Sequence, residues 1–100
     1  MRSLDEYVEG FRVALRGERF GEKSVHMIIE QIGSIYIEGS QVSTEERPAD
    51  CVLTTDHATY DQMFSGQLDP TIAFGQGKLK LDGDMGVALL MPPLFKKANA

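Results

Sequence analysis

The hydrophobic period of this chain changes early from 3.6 residues to two, and that change limits it to a domain of helix plus sheet. Leu4, Tyr7, Val8, Phe11 and Leu15 fall at i, i+3, i+4, i+7 and i+11. That is one stripe of an amphipathic helix, expected from about Leu4 to Arg16. Ser3 with Glu6 three residues on reads as a capping box. Asp5 and Glu6 sit at the positive end of the helix dipole and Arg16 near the negative end. Gly17 is the expected stop. Gly10 costs the helix interior about 1 kcal/mol relative to alanine.

From Lys23 to Thr55 the period is two. Val25, Met27 and Ile29 alternate with His26, Ile28 and Glu30, and Gly33-Ser34 marks a turn. Ile35 and Ile37 then oppose Tyr36, Gly39-Ser40 turns again, and Gln41 to Thr44 forms a short edge strand. Glu45 to Asp50 is a loop, because proline and a run of charge both oppose a ladder. Cys51 to Thr55 is β-rich once more. Ile28 makes the first strand apolar on both sides, so part of the sheet is expected to be covered on both faces.

Helical signals return after Thr55. Asp56 caps a helix with Tyr60, Met63 and Phe64 on its inner stripe, stopped at Gly66. Asp69-Pro70 starts a second turn of helix containing Ile72, Ala73 and Phe74. Lys78-Leu79-Lys80-Leu81 alternates as a strand with one wet face. Asp84 caps a final helix over Met85–Met91, which Pro92-Pro93 is expected to end. With 100 residues there is room for one domain, residues 1–100. The expected class is α+β, with a mostly antiparallel sheet covered by helices.

Charge and cysteine usage remove several functions. Fifteen acidic against ten basic residues give −5, which disfavours a nucleic-acid backbone as the ligand. Residues 1–75 carry −7 and residues 76–100 carry +2, so a mildly basic end follows an acidic body. The longest apolar run, Met85 to Met91, is far shorter than the roughly 20 residues a membrane span needs. No apolar signal core opens the chain, so a cytoplasmic protein is expected. One cysteine builds neither an internal disulfide nor a Cys-rich zinc site.

The search for chemistry is mostly negative. Cys51 opens an apolar strand, where an inert buried thiol is the usual outcome, and His57 sits at a helix start. His26 and His57 share no motif, so no metal site is expected. Gly75-Gln76-Gly77 lies between a helical turn and a strand, the wrong order for a phosphate cradle. Asp82-Gly83-Asp84 lacks the remaining ligands of a calcium loop. No nucleophile–base pair can be assembled, so no catalysis and no cofactor are expected. Met85 to Met91, by contrast, is apolar around its whole circumference. A covering helix normally shows a polar stripe, so this one needs burial, a partner subunit, a membrane or an apolar ligand.

The blocks Ala49-Asp50-Cys51-Val52-Leu53-Thr54-Thr55, Phe64-Ser65-Gly66-Gln67-Leu68-Asp69-Pro70 and Ala73-Phe74-Gly75-Gln76-Gly77-Lys78-Leu79-Lys80-Leu81-Asp82-Gly83-Asp84-Met85-Gly86 resemble the sterol carrier protein 2 family. The resemblance implies a five-stranded sheet with helices on one face and an apolar tunnel. The tunnel would hold a fatty acid, fatty acyl-CoA, sterol or phospholipid without covalent chemistry. By position, Met85, Val87, Ala88, Leu89, Leu90 and Met91 would line it, with Phe74 and Gln76 near it. Met63, Phe64 and Ile72 complete the implied lipid-binding set. The chain departs from the family in having one helix before the sheet and Pro92-Pro93 where members usually continue. It ends Asn99-Ala100 rather than Ser-Lys-Leu, so peroxisomal import is not expected.

A tunnel is costly in so small a domain. An empty, dry chamber of about 300 Å³ at about 24 cal/mol per Å³ costs roughly 7 kcal/mol, against a typical total stability of about 5–15 kcal/mol. The domain is therefore expected to collapse when empty, to carry lipid, or to pair with a second copy as a homodimer. Leu94-Phe95-Lys96-Lys97 offers a transient contact with an anionic membrane, worth only about 2 kcal/mol for its two lysines. The rival to a carrier is an accessory or dimerisation module with a solid core. A continuous apolar void near Met85–Met91 favours the carrier, and a filled core with a flat apolar patch favours the module.

Overall fold

The computed structural model describes residues 1–99. Helix α1 (Leu4–Ala14) precedes strands β1 (Ser24–Glu30), β2 (Gly33–Glu38), β3 (Gln41–Ser43) and β4 (Cys51–Asp56). Helices α2 (His57–Phe64) and α3 (Pro70–Gly75), strand β5 (Leu79–Gly83), and helices α4 (Met85–Ala88) and α5 (Met91–Ala98) follow. The capping box is present: the Ser3 side chain accepts from the Glu6 N–H while the Glu6 carboxylate accepts from Ser3. Asp56, Asp69 and Asp84 cap α2, α3 and α4 through their side chains, as their positions before each apolar run imply.

The five strands form one sheet in the order β3-β2-β1-β4-β5. It is mixed, which corrects the mostly antiparallel expectation. β1 runs antiparallel to β2 but parallel to β4, with Val25 beside Cys51 and Ile29 beside Thr55. The reason lies in the loop of residues 44–50. Going from β3 to β4 means crossing three strand spacings, about 14 Å in all, and seven extended residues reach about 23 Å. The loop therefore makes a crossover, and not a hairpin, without needing a helix. Its far end is clamped: Asp50 Oδ2 accepts from the Ser24 N–H at 2.8 Å, and Ser24 Oγ accepts from the Asp50 N–H at 3.1 Å. That reciprocal pair sets the parallel register one residue further on. On the face away from Ile35 and Ile37, the Arg47 guanidinium lies 5.0 Å over the Tyr36 ring, and Tyr36 and its neighbour His26 are both buried.

The inward residues of the sheet (Val25, Met27, Ile29, Ile35, Ile37, Leu53 and Leu79) meet the helices in one core. Tyr7, Phe11, Tyr60, Phe64 and Phe95 pack edge to face or tilted, with ring centroids 4.7–6.3 Å apart, a favoured aromatic geometry.

The end of the chain differs from expectation. The final helix over Met85–Met91 is two helices, and Pro92-Pro93 starts the second instead of ending the first. Proline lacks only an N–H that the first helical turn leaves unpaired anyway. In α5, Leu94 and Phe95 are buried against the core, and Lys97 pairs with Glu18 at 2.6 Å. The Leu94-Phe95 pair is thus spent on packing and is not presented to a membrane. Among the described residues no helix is long and apolar enough to cross a membrane.

Candidate functional site

The short helices α3 and α4 carry Ile72, Phe74 and Met85, three of the exposed large apolar side chains. Asp69 starts α3 by accepting from the Thr71 N–H at 2.7 Å, and Pro70 fits the first turn. Gly77, at φ +76°, then turns the chain out of the helix and into β5, whose Leu79 and Leu81 face Thr55 and Leu53. Gly83 (φ +113°) lies so close to the crossover loop that a Cβ there would come within 2.3 Å of the Asp50 carbonyl. The turn can be made only by glycine. It places Asp84 to cap α4, accepting from the Gly86 N–H at 2.8 Å and pairing with Lys23. The Lys23 partner first, and then the Gly86 N–H, hold the Asp84 carboxyl below the usual carboxylate range.

Between these helices and the sheet runs a groove lined by Leu53, Pro70, Thr71, Phe74, Leu79, Leu81, Met85, Ala88, Leu89 and Met91. Its void is about 50 Å³. It carries no charged lining residue, and Thr71 is the one polar side chain on its wall. Behind it lies a void of about 10 Å³ walled by residues including Met27, Leu53, Tyr60, Met63, Pro70, Leu79 and Phe95. On the other side of α3 a more open groove of about 420 Å³ is lined by Met63, Phe64, Ser65, Gly66, Asp69, Pro70, Pro92, Phe95, Lys96 and Asn99. Pro70 borders all three spaces.

The structure thus brings Phe74, Met85, Ala88, Leu89 and Met91 to one groove, Met63 to the inner void, and Phe64 to the open groove. Leu90 borders a separate cleft with Leu15, Phe20 and Leu94. Val87 is core, 1% exposed. Ile72 and Gln76 are exposed on α3 and its cap, outside these cavities. Sequence reasoning passed over Leu53, Pro70, Leu79 and Leu81. The alternation Lys78-Leu79-Lys80-Leu81 already turned the leucines inward, whereas Pro70 was legible only as a helix start.

Three residues that line the apolar groove, Phe74, Met85 and Leu89, are also exposed, and Ile72 and Leu90 lie close to them in sequence. Ile72, Phe74, Met85, Leu89 and Leu90 are all between 42% and 63% exposed. Scattered exposed apolar residues need no explanation, but a cluster does. The apolar circumference of Met85–Met91 is therefore resolved by splitting it. Val87 and Met91 turn into the core, and Met85, Leu89 and Leu90 turn out.

Elsewhere the reactive groups are tied down. Cys51 is fully buried. Burial first, then the nearby Asp84 and Asp82 charges, push its thiol up, opposite to what a nucleophile needs. His57 does not serve it: the His57 Nε2 lies 2.8 Å from the Arg2 carbonyl and 3.1 Å from the Tyr7 hydroxyl. Among the described residues no group of three His, Cys, Asp or Glu side chains could hold a metal ion.

Residues 8–96 match the sequence pattern of the SCP-2 sterol transfer family. Hydroxysteroid dehydrogenase-like protein 2 of Xenopus tropicalis is 44% identical over 52 residues, 52% of this chain and 12% of that protein. Human sterol carrier protein 2 is 36% identical over 56 residues, 56% of this chain and 10% of that protein. This chain therefore aligns with only about a tenth of the length of these relatives. The solution structure of Sterol Carrier Protein-2 from Aedes aegypti in complex with palmitate superposes with a TM-score of 0.78 at 18% identity, covering 93% of this chain and 94% of that one.

Proposed function

The chain belongs to the SCP-2 sterol transfer family, and from that premise we propose that it is a non-catalytic carrier. It holds the apolar part of a fatty acid, fatty acyl-CoA, sterol or phospholipid between α3, α4 and the sheet. The observation that supports this reading is the apolar groove itself, walled by Leu53, Phe74, Leu79, Leu81, Met85 and Met91 and open beside exposed Phe74, Met85 and Leu89. An engineered cavity of about 150 Å³ takes up benzene, so a void of about 50 Å³ admits an acyl chain only if α3 and α4 move apart. Its walls are suited to moving: α3 and α4 have six and four residues, and methionine repacks readily.

The Aedes aegypti protein of the same fold is in complex with a C16 acid, which makes palmitate the first probe. Native mass spectrometry and solvent extraction of the purified protein should find bound lipid, and added palmitate should raise Tm. A ligand at a hundred times its Kd adds about 2.7 kcal/mol. A ligand-free protein whose Tm ignores palmitate, acyl-CoA, sterol and phospholipid alike sinks the carrier reading.

A second reading is favoured by the inner void of only about 10 Å³. A filled core with an apolar outer patch suits an accessory module that pairs with another chain, or with a second copy, through Ile72, Phe74, Met85, Leu89 and Leu90. The relatives' much greater length accommodates such a role. Sedimentation at rising concentration separates the two: the module associates without lipid, and the carrier stays monomeric and binds it.

A further inference from the structure

We propose that the groove of about 420 Å³ between the end of α2, the start of α3 and α5 receives the anionic head group of an amphiphile, with Lys96 as its cation. The chain of that ligand passes beneath Pro70 and ends in the apolar groove at α4. The inference deepens the carrier reading and rests on it.

Three observations carry it. The first is adjacency. The open groove and the inner void share Met63, Pro70 and Phe95. The inner void and the groove at α4 share Leu53, Pro70 and Leu79. The three spaces therefore share walls, with Pro70 common to all of them, and the inner void of about 10 Å³ must open before a chain can pass between the outer two. The second is polarity. The end at α4 offers Phe74, Leu81, Met85 and Leu89 and no charge, whereas the other end offers Ser65, Asp69, Lys96 and Asn99. A ligand spanning them must be apolar at one end and polar at the other.

The third is the state of the polar groups at the wet end. Arg2 is occupied by the Asp61 carboxylate at 3.0 Å and by the Asn99 side-chain oxygen at 3.1 Å. The Asn99 amide donates to the Ser65 carbonyl at 3.4 Å, and the Ser65 hydroxyl donates to the Gln62 carbonyl at 3.2 Å. Asp69, the one carboxylate on the groove, accepts from the Thr71 N–H at 2.7 Å as the cap of α3. Lys97 turns to the other side of α5 and pairs with Glu18. Among the described residues neither charged group on this groove, Asp69 or Lys96, has a partner within salt-bridge distance; Asp69 is engaged as a helix cap, which leaves Lys96 as the groove's one cation. An ammonium on a flexible stem in a groove beside apolar walls takes a compact anion, either a carboxylate or a phosphate monoester.

The test uses the full chain and three C16 probes: hexadecanoate, hexadecyl phosphate and hexadecan-1-ol. Lys96→Gln is compared with Lys97→Gln, which removes the same charge one residue away. The wild type is expected to bind at least one anion about fivefold more tightly than the alcohol, the size of an exposed ion pair. Lys96→Gln should abolish that preference and leave alcohol binding unchanged, and Lys97→Gln should keep it. The anion whose affinity Lys96→Gln reduces more identifies the head group. Equal binding of acid, phosphate and alcohol by the wild type overturns the head-group site while leaving the carrier reading intact. So does an anion preference that survives Lys96→Gln. Failure of all three probes to bind overturns the head-group site, and the carrier reading falls with it only if acyl-CoA, sterol and phospholipid also fail to bind.

Discussion

The hydroxyl of Tyr7, at the buried centre of α1, donates to the Asp61 carboxylate of α2 at 2.8 Å, fastening the first helix to the helix that follows β4. Asp61 also accepts from the Arg2 backbone and guanidinium, so one carboxylate closes the N-terminal end of the domain. Burial first, then the bond to Asp61, raise the Tyr7 pKa and keep its proton in place. Tyr7→Phe should cost about 1–2 kcal/mol, since the ring packing survives and Asp61 keeps Arg2. The check is a urea titration, with the midpoint falling and the slope m unchanged. An unchanged midpoint would mean that the bond contributes nothing.

Acid should unfold the protein through the same cluster. Burial works against ionisation of Asp61, but the Tyr7 hydroxyl and the Arg2 donors outweigh it and hold the carboxyl below its ordinary range. The Thr59 N–H does the same for Asp56. A folded pKa that is depressed gives stability fully present above the unfolded value of about 4 and lost as pH falls through the folded value. Stability should therefore hold from neutral pH to about 5 and decline below about 4. Asp61→Asn should be less stable than the wild type at neutral pH, with the gap narrowing as pH falls. Urea midpoints at both ends of that range test it, and a constant gap refutes the assignment.

Gly10 shows where pattern reading stops. Within a helix, alanine is preferred to glycine by about 1 kcal/mol, so the sequence alone marks Gly10 as a weak point. In the fold, a Cβ at Gly10 would lie 2.9 Å from the Ala98 carbonyl oxygen and 2.9 Å from the Phe64 ring. The position is where α5 crosses α1. Gly10→Ala should therefore destabilise by about 1–3 kcal/mol, the usual range for overpacking, despite the gain in propensity. A variant with a higher urea midpoint would show that α5 packs elsewhere.

The elements were legible for a local reason: capping residues, period and turn residues all lie within a few positions of the structure they specify. Ser3, Asp56, Asp69 and Asp84 cap the helices their positions announce. What was not legible depends on distant partners. The parallel pairing of β1 with β4 is set by a clamp between Ser24 and Asp50, 26 positions apart. The prolines at 92 and 93 read as a stop because nothing local shows that Leu94 and Phe95 have a core to enter. The groove was half legible. Its α4 side came from an apolar stretch with no polar stripe, but its floor came from Leu53, Leu79 and Leu81, which only the strand order brings together.

The groove also makes a prediction that separates binding from folding. Leu89 is 63% exposed and Met91 is fully buried, yet both border the same void. Leu89→Ser removes an apolar side chain that the empty protein leaves in water, so its stability should change by less than about 0.5 kcal/mol. Met91→Ala removes a side chain from the core and should cost about 2–5 kcal/mol. If the groove closes around a lipid chain, Leu89 loses its water only in the complex. Leu89→Ser should then weaken palmitate binding by about tenfold or more, since burying such a side chain is worth about 1.5–3 kcal/mol. Urea titration gives the stabilities, and palmitate titration followed by Tm gives the binding. Unchanged palmitate affinity in Leu89→Ser would place the ligand away from α4.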